Sequence, residues 1–258
     1  MAVLEKIVGR CKERLDLTRK RRSPASVAAA AEEALPAKDF TGALRRSDRL
    51  NIIAEFKPAS PSRGQIRPDA DAAEVVREYE RAGAAAVSVL TEPEFFGSGL
   101  DRLEKARSSC SLPLLRKDFI LDPYQVDEAR AANADAVLLI VAILEDPPLR
   151  DLIQSVEGRD MAALVEVHDE AELERALKAE ASLVGINQRD LRDLSLDLNL
   201  ASRLLPMLPK QVTAVAESGL SRREQLVRLR EAGCHAFLIG SYLMVSPKPR
   251  LALEELLG

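Results

Sequence analysis

Six short apolar runs in this 258-residue sequence end in side chains that could carry protons or bind an anion. Glutamate, lysine or asparagine ends most of the runs, and Ser-Gly or Gly-Ser pairs follow the last two. Charged side chains are almost never fully buried without partners, so buried strands have no reason of their own to end in this way. The pattern predicts that the endings meet at one polar site. The runs lie in residues 52–57, 114–118, 164–166, 184–187, 215–219 and 237–241.

The elements that must position these endings follow from a repeated pattern. Four segments each read as the end of a helix, a left-handed cap and a short buried strand: 82–90, 132–140, 179–186 and 232–239. Filling the gaps predicts strands near 51–56, 85–90, 113–117, 135–141, 162–167, 182–187, 212–217 and 236–240. Helical patterns lie between them at 71–81, 100–108, 123–132, 147–156, 170–179, 199–205, 222–231 and 249–257.

Eight nearly continuous apolar strands that alternate with eight amphipathic helices predict an α/β fold with a parallel sheet covered on its faces. An open doubly wound sheet has the same pattern, but eight regular units at this length fit a closed (β/α)8 TIM barrel better. We expect one barrel domain over residues 1–258. Residues 1–48 form an N-terminal helical extension that covers the barrel, with an extra helix at 40–44 before the first strand.

All strands of a parallel barrel run the same way, so their carboxyl ends open onto one face, where barrel enzymes hold their active sites. Two lysines and two glutamates in one mouth suit general acid and base catalysis on a substrate with a carbonyl and an anionic group. The alternative is a structural ring of salt bridges at the rim. The strand-end residues expected there are Glu55, Lys57, Lys117, Glu166, Asn187, Glu217, Ser218, Gly240 and Ser241.

The last two strands carry a separate indication of a phosphate site. The pairs Ser218-Gly219 and Gly240-Ser241 are small enough for backbone N–H groups to approach an anion. Barrels often bind phosphate after strands seven and eight. We therefore expect a phosphorylated small molecule as the ligand, although plain turn glycines would give the same residues.

The histidines and aromatic residues are less informative. His168 follows Glu166 by two residues and could be a third proton carrier, but it lies past the strand end and is predicted to be a solvent-exposed loop residue. His235 enters the last strand from the amino end, where residues serve stability. The aromatic pair at 95–96 and Phe119 could form an apolar wall for a planar ligand or could be loop packing.

The charge composition argues against one class of binding partner. The chain has 37 basic and 41 acidic residues and a net charge of -4, which argues against nucleic acid. The basic run 19–22 ends an amphipathic stretch and is predicted to be a solvated helix end rather than a binding patch.

No segment predicts a membrane anchor or an exported protein. The longest apolar run, 136–144, is far too short to span a bilayer. Three scattered cysteines imply neither a disulfide framework nor a zinc site, and the first residues lack a signal peptide. These features predict a cytoplasmic protein without a membrane partner.

Seven segments together resemble one known family, indole-3-glycerol phosphate synthase of tryptophan biosynthesis. They are EFKPASPSRG (55–64), SVLTE (88–92), LRKDF (115–119), VLLI (137–140), GINQRDL (185–191), AESG (216–219) and FLIGS (237–241). The resemblance covers essentially the whole chain in order. The first and third segments together are not a general barrel signature, so the resemblance is specific.

The resemblance implies a lyase that closes the pyrrole ring of 1-(2-carboxyphenylamino)-1-deoxyribulose 5-phosphate with loss of CO2 and water. It implies no metal and no organic cofactor. By the same resemblance Lys117 is the general acid at the ketone and Glu166 transfers a proton during dehydration, supported by Glu55 and Asn187. Lys57 is the cation that holds the substrate carboxylate, with a possible second role as an acid in dehydration.

The resemblance also assigns residues that bind substrate. Pro58 departs from the family pattern, because many members have a second basic residue there. The substrate-site matches are Ser60, Arg189, Glu217 and Ser218, the apolar matches are Phe96, Phe119 and Leu138, and the phosphate matches are Gly219, Gly240 and Ser241.

Two other classes of function remain open. One is a Schiff-base lyase in which a strand-end lysine is a nucleophile, and the other is a non-catalytic phosphosugar-binding barrel. The sequence ends with the eighth helix, which predicts a monofunctional protein. Its acidic charge permits a monomer, which we expect rather than a homodimer.

Overall fold

The computed structural model describes residues 3–258, in which strands and helices alternate from residue 51 onward. The strands are β1 (Asn51–Phe56), β2 (Ala59–Ser60), β3 (Gly64–Gln65), β4 (Ala86–Leu90), β5 (Leu114–Lys117), β6 (Ala136–Ile140), β7 (Ala162–Val167), β8 (Leu183–Asn187), β9 (Thr213–Glu217) and β10 (Ala236–Ile239). The helices are α1 (Val3–Arg21), α2 (Pro24–Glu32), α3 (Phe40–Leu44), α4 (Ala72–Arg81), α5 (Pro93–Phe96), α6 (Leu100–Arg107), α7 (Pro123–Ala131), α8 (Asp146–Glu157), α9 (Glu170–Lys178), α10 (Leu200–Leu204), α11 (Arg223–Glu231), α12 (Ser241–Val245) and α13 (Pro249–Leu257).

Eight of these strands close into a parallel barrel. Their order around the barrel is β1, β10, β9, β8, β7, β6, β5 and β4, and β4 pairs with β1 to complete the ring. The predicted (β/α)8 barrel is therefore confirmed, with the strand bounds within one residue or so of the expected ones. The remaining strands, β2 and β3, form a small antiparallel hairpin in the connection after β1.

Alternation of side chains along each strand divides the apolar core in two. Ile53, Leu164 and Val215 point into the barrel interior, whereas their strand neighbours Ile52 and Val165 pack outward against the helices. Both faces of every strand are thus buried, which explains why the strands are nearly continuous apolar runs.

Left-handed turns at the helix ends lead the chain into the next strand. The four predicted left-handed caps are present at Gly83 (φ 90°), Asn133 (φ 60°), Glu180 (φ 64°) and Gly233 (φ 104°). Glu180 is a costly residue for this conformation, which favours Gly and Asn. The left-handed turn between helix and strand is therefore kept at this position although glutamate does not favour it.

The N-terminal extension lies against both ends of the barrel. Leu4, Ile7 and Cys11 of α1 are buried in the same apolar cluster as Phe119, close to the carboxyl ends of the strands. At the amino ends, α3 packs against β1 and β4, and the side-chain amide of Asn51 donates to the carbonyl of Leu44 at 2.7 Å. The extension therefore closes the base of the barrel and covers part of its mouth.

Ion pairs fix α1 over the mouth. Arg14 donates to Glu92 at 2.9 Å and lies 3.5 Å from Asp118, and both carboxylates are buried. Arg19 pairs with Asp122 and lies over the ring of Tyr124, 5.5 Å from its centroid. The prediction that the basic run is a solvated helix end is therefore wrong for Arg19, although residues 20–22 are exposed.

No helix within residues 3–258 is long and apolar enough to cross a membrane.

Asp135 joins three parts of the chain at the base of the barrel. Its carboxylate accepts the backbone N–H of Lys38 at 2.8 Å and that of Leu114 at 2.7 Å, and it pairs with Arg107 at 2.9 Å. The Asp135 side chain is only 3% exposed. Loss of its charge would leave Arg107 and two backbone donors without a full partner.

We predict that Asp135→Asn lowers the free energy of unfolding by about 3–5 kcal/mol, because one partner of a buried ion pair is removed. The matched control is Asp101→Asn, whose pairs with Arg102 and Lys105 are exposed and for which we expect a loss below about 1 kcal/mol. Thermal unfolding followed by circular dichroism measures both. Equal unfolding temperatures for the two variants would show that Asp135 does not hold the extension to the barrel.

Candidate active site

A cavity of about 400 Å³ opens at the carboxyl ends of the barrel strands. Its volume and its mixture of apolar walls and charged groups are typical of small-molecule sites. The structure brings every site residue predicted from sequence to the lining of this cavity. These residues are Glu55, Lys57, Ser60, Phe96, Lys117, Phe119, Leu138, Glu166, Asn187, Arg189, Glu217, Ser218, Gly219, Gly240 and Ser241.

Lys117, the last residue of β5, lies among three carboxylates. Its Nζ is 2.6 Å from Glu217 Oε2, 3.4 Å from Glu166 Oε2 and 3.9 Å from Glu55 Oε2. Burial alone would lower the pKa of Lys117, but attraction to Glu217, Glu166 and Glu55 outweighs it and raises the pKa well above the usual value. The side chain is therefore a cation at neutral pH.

The buried carboxylates have different proton affinities. Burial raises the pKa of both Glu166 and Glu217, whereas the positive charge of Lys117 lowers the pKa of both. Glu166 also receives support from His168 and Asn187, so its pKa falls below the usual range. Glu217 lacks that support and feels the negative charge of Glu166, which leaves its pKa raised to about 7. Two carboxyl groups whose pKa values are driven apart can serve as base and acid in one site.

A second lysine pairs with the remaining glutamate. Lys57 lies just after β1, and its Nζ is 2.5 Å from Glu55 Oε1. Tyr79 of α4 is completely buried and donates its hydroxyl to the backbone carbonyl of Glu55 at 3.2 Å. The helix behind the strand thus holds the backbone from which Glu55 projects.

Asn187 and Ser218 form a polar link between β8 and β9. The Ser218 hydroxyl donates to Asn187 Oδ1 at 2.7 Å, and the backbone N–H of Arg189 donates to the same oxygen at 3.1 Å. Both contacts use the amide oxygen. The amide nitrogen of Asn187 is then left to face Glu166, and the influence of Asn187 contributes to the low pKa of that carboxylate.

The turns after β9 and β10 leave backbone groups open to the cavity. Ser218 and Gly219 have φ values of 66° and 73°, a pair of successive left-handed residues. A side chain on Gly219 would collide with Leu198, since its Cβ would lie 2.4 Å from Leu198 Cδ2. Gly240 is the N-cap residue of α12. Left-handed turns and helix N-termini present N–H groups that bind anions.

Two arginines also face this part of the cavity. Arg63 and Arg189 both line it, and burial together with the positive charge of Arg63 lowers the pKa of Arg189. Among residues 3–258 neither arginine has an acidic partner within ion-pair distance, and the guanidinium of Arg189 donates to the carbonyl of Leu194 at 2.8 Å. Sequence reasoning quoted Arg63 within a motif but did not select it as a site residue.

The opposite wall of the cavity is apolar. The rings of Phe96 and Phe119 are 6.1 Å apart at an angle of 41°, and Leu138 lies beside them. Glu92 accepts the backbone N–H groups of Phe95 and Phe96 and so fixes α5 at the rim. Leu4 and Ile7 of α1 complete the wall, a contribution that sequence reasoning did not identify because no pattern links α1 to the mouth.

Two glycines leave room for the carboxylates. A Cβ at Gly185 would lie 2.2 Å from Glu217 Oε1, and a Cβ at Gly240 would lie 2.0 Å from Glu55 Oε1. Both distances are far below any contact between real atoms. Gly240 therefore has a steric role beside its predicted role at the phosphate.

The prediction that His168 is a solvent-exposed loop residue is wrong. Its side chain is 3% exposed and lies between Glu166, 3.3 Å from Nε2, and Glu172, 3.0 Å from Nδ1. The residue does lie past the end of β7, but α9 begins at once and folds Glu172 back over it. His235 lies at the amino end of β10 as predicted, where its Nδ1 accepts the N–H of Ala214.

Within the part of the chain that the structure describes, no group of three His, Cys, Asp or Glu side chains could hold a metal ion. Cys11, Cys110 and Cys234 are buried and free.

Known proteins resemble this chain in both sequence and fold. The family described as indole-3-glycerol phosphate synthase matches residues 4–256. An indole-3-glycerol phosphate synthase of Variovorax paradoxus (strain S110) is 44% identical over 261 residues, and the alignment covers 98% of each chain. The protein of the same name from Acinetobacter baylyi is 45% identical over 257 residues, with 99% of this chain and 96% of the relative covered.

A crystal structure of mandelate oxidase superposes with a TM-score of 0.64 over 86% of this chain and 76% of that chain. Its sequence identity is 15%, so this likeness concerns the fold alone. The family match and the relatives, in contrast, extend along nearly the whole sequence and include every segment that forms the cavity. The chain belongs to the indole-3-glycerol phosphate synthase family.

Proposed function

We propose that the protein is an indole-3-glycerol phosphate synthase, a carboxy-lyase that converts 1-(2-carboxyphenylamino)-1-deoxyribulose 5-phosphate to indole-3-glycerol phosphate, CO2 and water. Membership of the family supports the reaction. The single observation of geometry that carries the mechanism is the Lys117 cation among three buried carboxylates. The apolar wall and the open backbone turns lie on either side of it and suit the two ends of the substrate.

Ring closure begins at the ketone of the substrate. The anthranilate ring carbon that bears the carboxylate attacks the ketone carbon, and the ketone oxygen becomes negatively charged. Lys117 is a cation in the cavity and donates its proton to that oxygen as charge develops. The carboxylate then leaves as CO2, and its bonding electrons restore the aromatic ring.

Dehydration completes the indole. The new hydroxyl leaves as water after protonation, and a base removes a proton from the carbon next to the ring nitrogen. We assign the base to Glu166, whose low pKa keeps it ionised, with Glu55 and Asn187 in support. We assign to Lys57 the binding of the substrate carboxylate before it leaves and a role as an acid in this step, and its ion pair with Glu55 supports a cation at this position. Glu217 holds Lys117 in position and, with a pKa raised to about 7, exchanges protons easily at neutral pH.

Different parts of the cavity are assigned to different parts of the substrate. The aromatic ring is assigned to Phe96, Phe119 and Leu138, which form the apolar wall. The phosphate is assigned to the turns that contain Gly219, Gly240 and Ser241, where left-handed backbone and the start of α12 support anion binding. Ser60, Arg189 and Ser218 complete the polar side, and the unpaired positive charge of Arg189 supports an anionic ligand.

We also propose that the enzyme is a cytoplasmic monomer. The three free cysteines support a reducing compartment. Away from the cavity, the exposed large apolar side chains of residues 3–258 lie in separate parts of the chain, as in Leu17, Leu35 and Met207, which supports a monomer rather than a homodimer.

The first prediction tests the function itself. Purified protein mixed with the carboxyphenylamino-deoxyribulose phosphate should produce the fluorescence of the indole product, and Lys117→Ala should lower kcat by about 10³-fold or more, because the general acid is lost. Lys105→Ala, an exposed lysine on α6, is the matched control and should keep the parent rate. Absence of product from the parent would refute the assignment, and a normal rate without Lys117 would refute its role.

The second prediction separates proton transfer from a Schiff-base lyase. Borohydride added during turnover should leave the protein mass unchanged, because Lys117 and Lys57 are held as cations by carboxylates and a nucleophilic amine must be neutral. Intact-protein mass spectrometry measures the outcome. A substrate-derived adduct on either lysine would establish the covalent alternative.

The third prediction concerns the position of Glu217. In Gly185→Ala the new methyl group must displace the Glu217 carboxylate, and with it Lys117, so we expect kcat to fall by about 10²-fold. Gly9→Ala on α1 is the control, since nothing lies within 4 Å of its Cβ position. If both variants turn over at the parent rate, the spacing of Glu217 and Lys117 is not critical.

A further inference from the structure

His168 lies behind Glu166, on the side away from the substrate cavity. Neither His168 nor Glu172 lines that cavity, whereas Glu166 does. All three side chains are buried or nearly so. The histidine can therefore influence the reaction only through the glutamate.

Each oxygen of Glu166 faces a different nitrogen. Oε2 is 3.4 Å from Lys117 Nζ, and Oε1 is 3.3 Å from His168 Nε2. The carboxylate, which is 1% exposed, thus lies between two groups that can carry positive charge. Contacts on both oxygens restrict its rotation and stabilise its ionised form.

Glu172 determines the protonation of the imidazole. Glu172 Oε2 is 3.0 Å from His168 Nδ1 and also accepts the backbone N–H of His168 at 2.8 Å. A neutral imidazole has one nitrogen that can only accept, and that nitrogen would face a carboxylate oxygen. Carboxylates against both nitrogens are satisfied only when both carry hydrogen.

The charges in and around the cavity agree with this arrangement. Four buried carboxylates, those of Glu55, Glu166, Glu172 and Glu217, lie near only two lysines, Lys57 and Lys117, so a protonated His168 reduces the excess of negative charge. Three other charged groups lie near the imidazole. Asp190 and Arg192, in the loop after β8, pair with each other, and Asp169 lies at the start of α9. Burial lowers the pKa of His168, but the close approach of Glu166 and the hydrogen bond to Glu172 raise it to about 10.

We propose that His168, held in its protonated form by Glu172, is a positioning residue that keeps Glu166 ionised and oriented for proton transfer. The kinetic part of this inference rests on the proposed function. Without the imidazolium, only Lys117 and Asn187 stabilise the charge on Glu166, so the carboxyl group holds a proton to higher pH. The acid limb of the activity profile then moves upward.

The first test measures the two histidines directly and needs no turnover. Only His168 and His235 occur in the sequence, so NMR of the ¹⁵N-labelled imidazoles gives two sets of ring-nitrogen signals, which His235→Gln assigns. We expect His168 to carry both protons at about pH 8, whereas burial and Arg45 lower the pKa of His235. In Glu172→Gln the titration of His168 should move down by about one pH unit or more. A neutral His168 at about pH 8 would overturn the proposal.

The second test follows kcat and KM against pH in His168→Gln and Glu172→Gln, with His235→Gln as the matched control. We expect kcat to fall by about 10- to 100-fold in His168→Gln, KM to change by less than about threefold, and the acid limb to move up by about one pH unit. Glu172→Gln keeps the acceptor for the backbone N–H and should show a smaller shift in the same direction. Parent-like pH profiles in both folded variants would overturn the proposal.

The two tests separate this inference from the function on which it rests. Absence of turnover in the parent would refute the proposed reaction, while the NMR titration would still decide whether His168 is an imidazolium. Thermal unfolding of each variant identifies any loss of folding. A rate loss that follows stability alone, with an unmoved acid limb, counts against a positioning role.

Discussion

The candidate site depends on one electrostatic constraint, the burial of three carboxylates around Lys117. Removing a single ionised carboxylate from water costs several kcal/mol unless a partner compensates it. Glu55, Glu166 and Glu217 share this lysine, while Glu55 also pairs with Lys57 and Glu166 also lies 3.3 Å from His168. The differences among those neighbours give one carboxyl group a low pKa and another a pKa near neutrality. A set of chemically similar side chains thus acquires distinct roles from position alone.

The barrel is what makes this arrangement possible. Lys117, Glu166 and Glu217 are separated by 49 and 51 residues along the chain, yet their strands end at one face of a closed parallel sheet. Small residues on neighbouring strands, notably Gly185, leave the space that the carboxylates occupy. The same packing makes the site rigid, because the strands carry side chains into filled cores on both faces.

The N-terminal extension adds what the barrel lacks. The strands and their connections provide the charged floor and the turns, whereas α1 contributes apolar cover through Leu4 and Ile7. Arg14 and Arg19 hold that cover through ion pairs to Asp118 and Asp122, which follow Lys117 within the same connection. A helix with its own polar surface can therefore shield a reacting center from water without becoming part of the barrel.

The barrel, the face that carries the site and its strand-end residues could be predicted from the sequence, whereas the lining residues Leu4, Ile7 and Arg63 could not. Strand periodicity and repeated caps are local properties, and a parallel barrel converts them into a single mouth with little freedom. The resemblance to one family then named the residues within that mouth. Which side chains are in contact could be read only from the folded protein, since contacts between strands and helices depend on packing rather than on sequence spacing. His168 is the clearest case: Asp169 and Glu172 match a helix-capping pattern, but only the folded turn brings the Glu172 carboxylate onto the imidazole and the imidazole onto Glu166. Burial at a loop position cannot be predicted from the sequence. In the folded protein it places His168 between the carboxylates of Glu166 and Glu172 rather than in solvent.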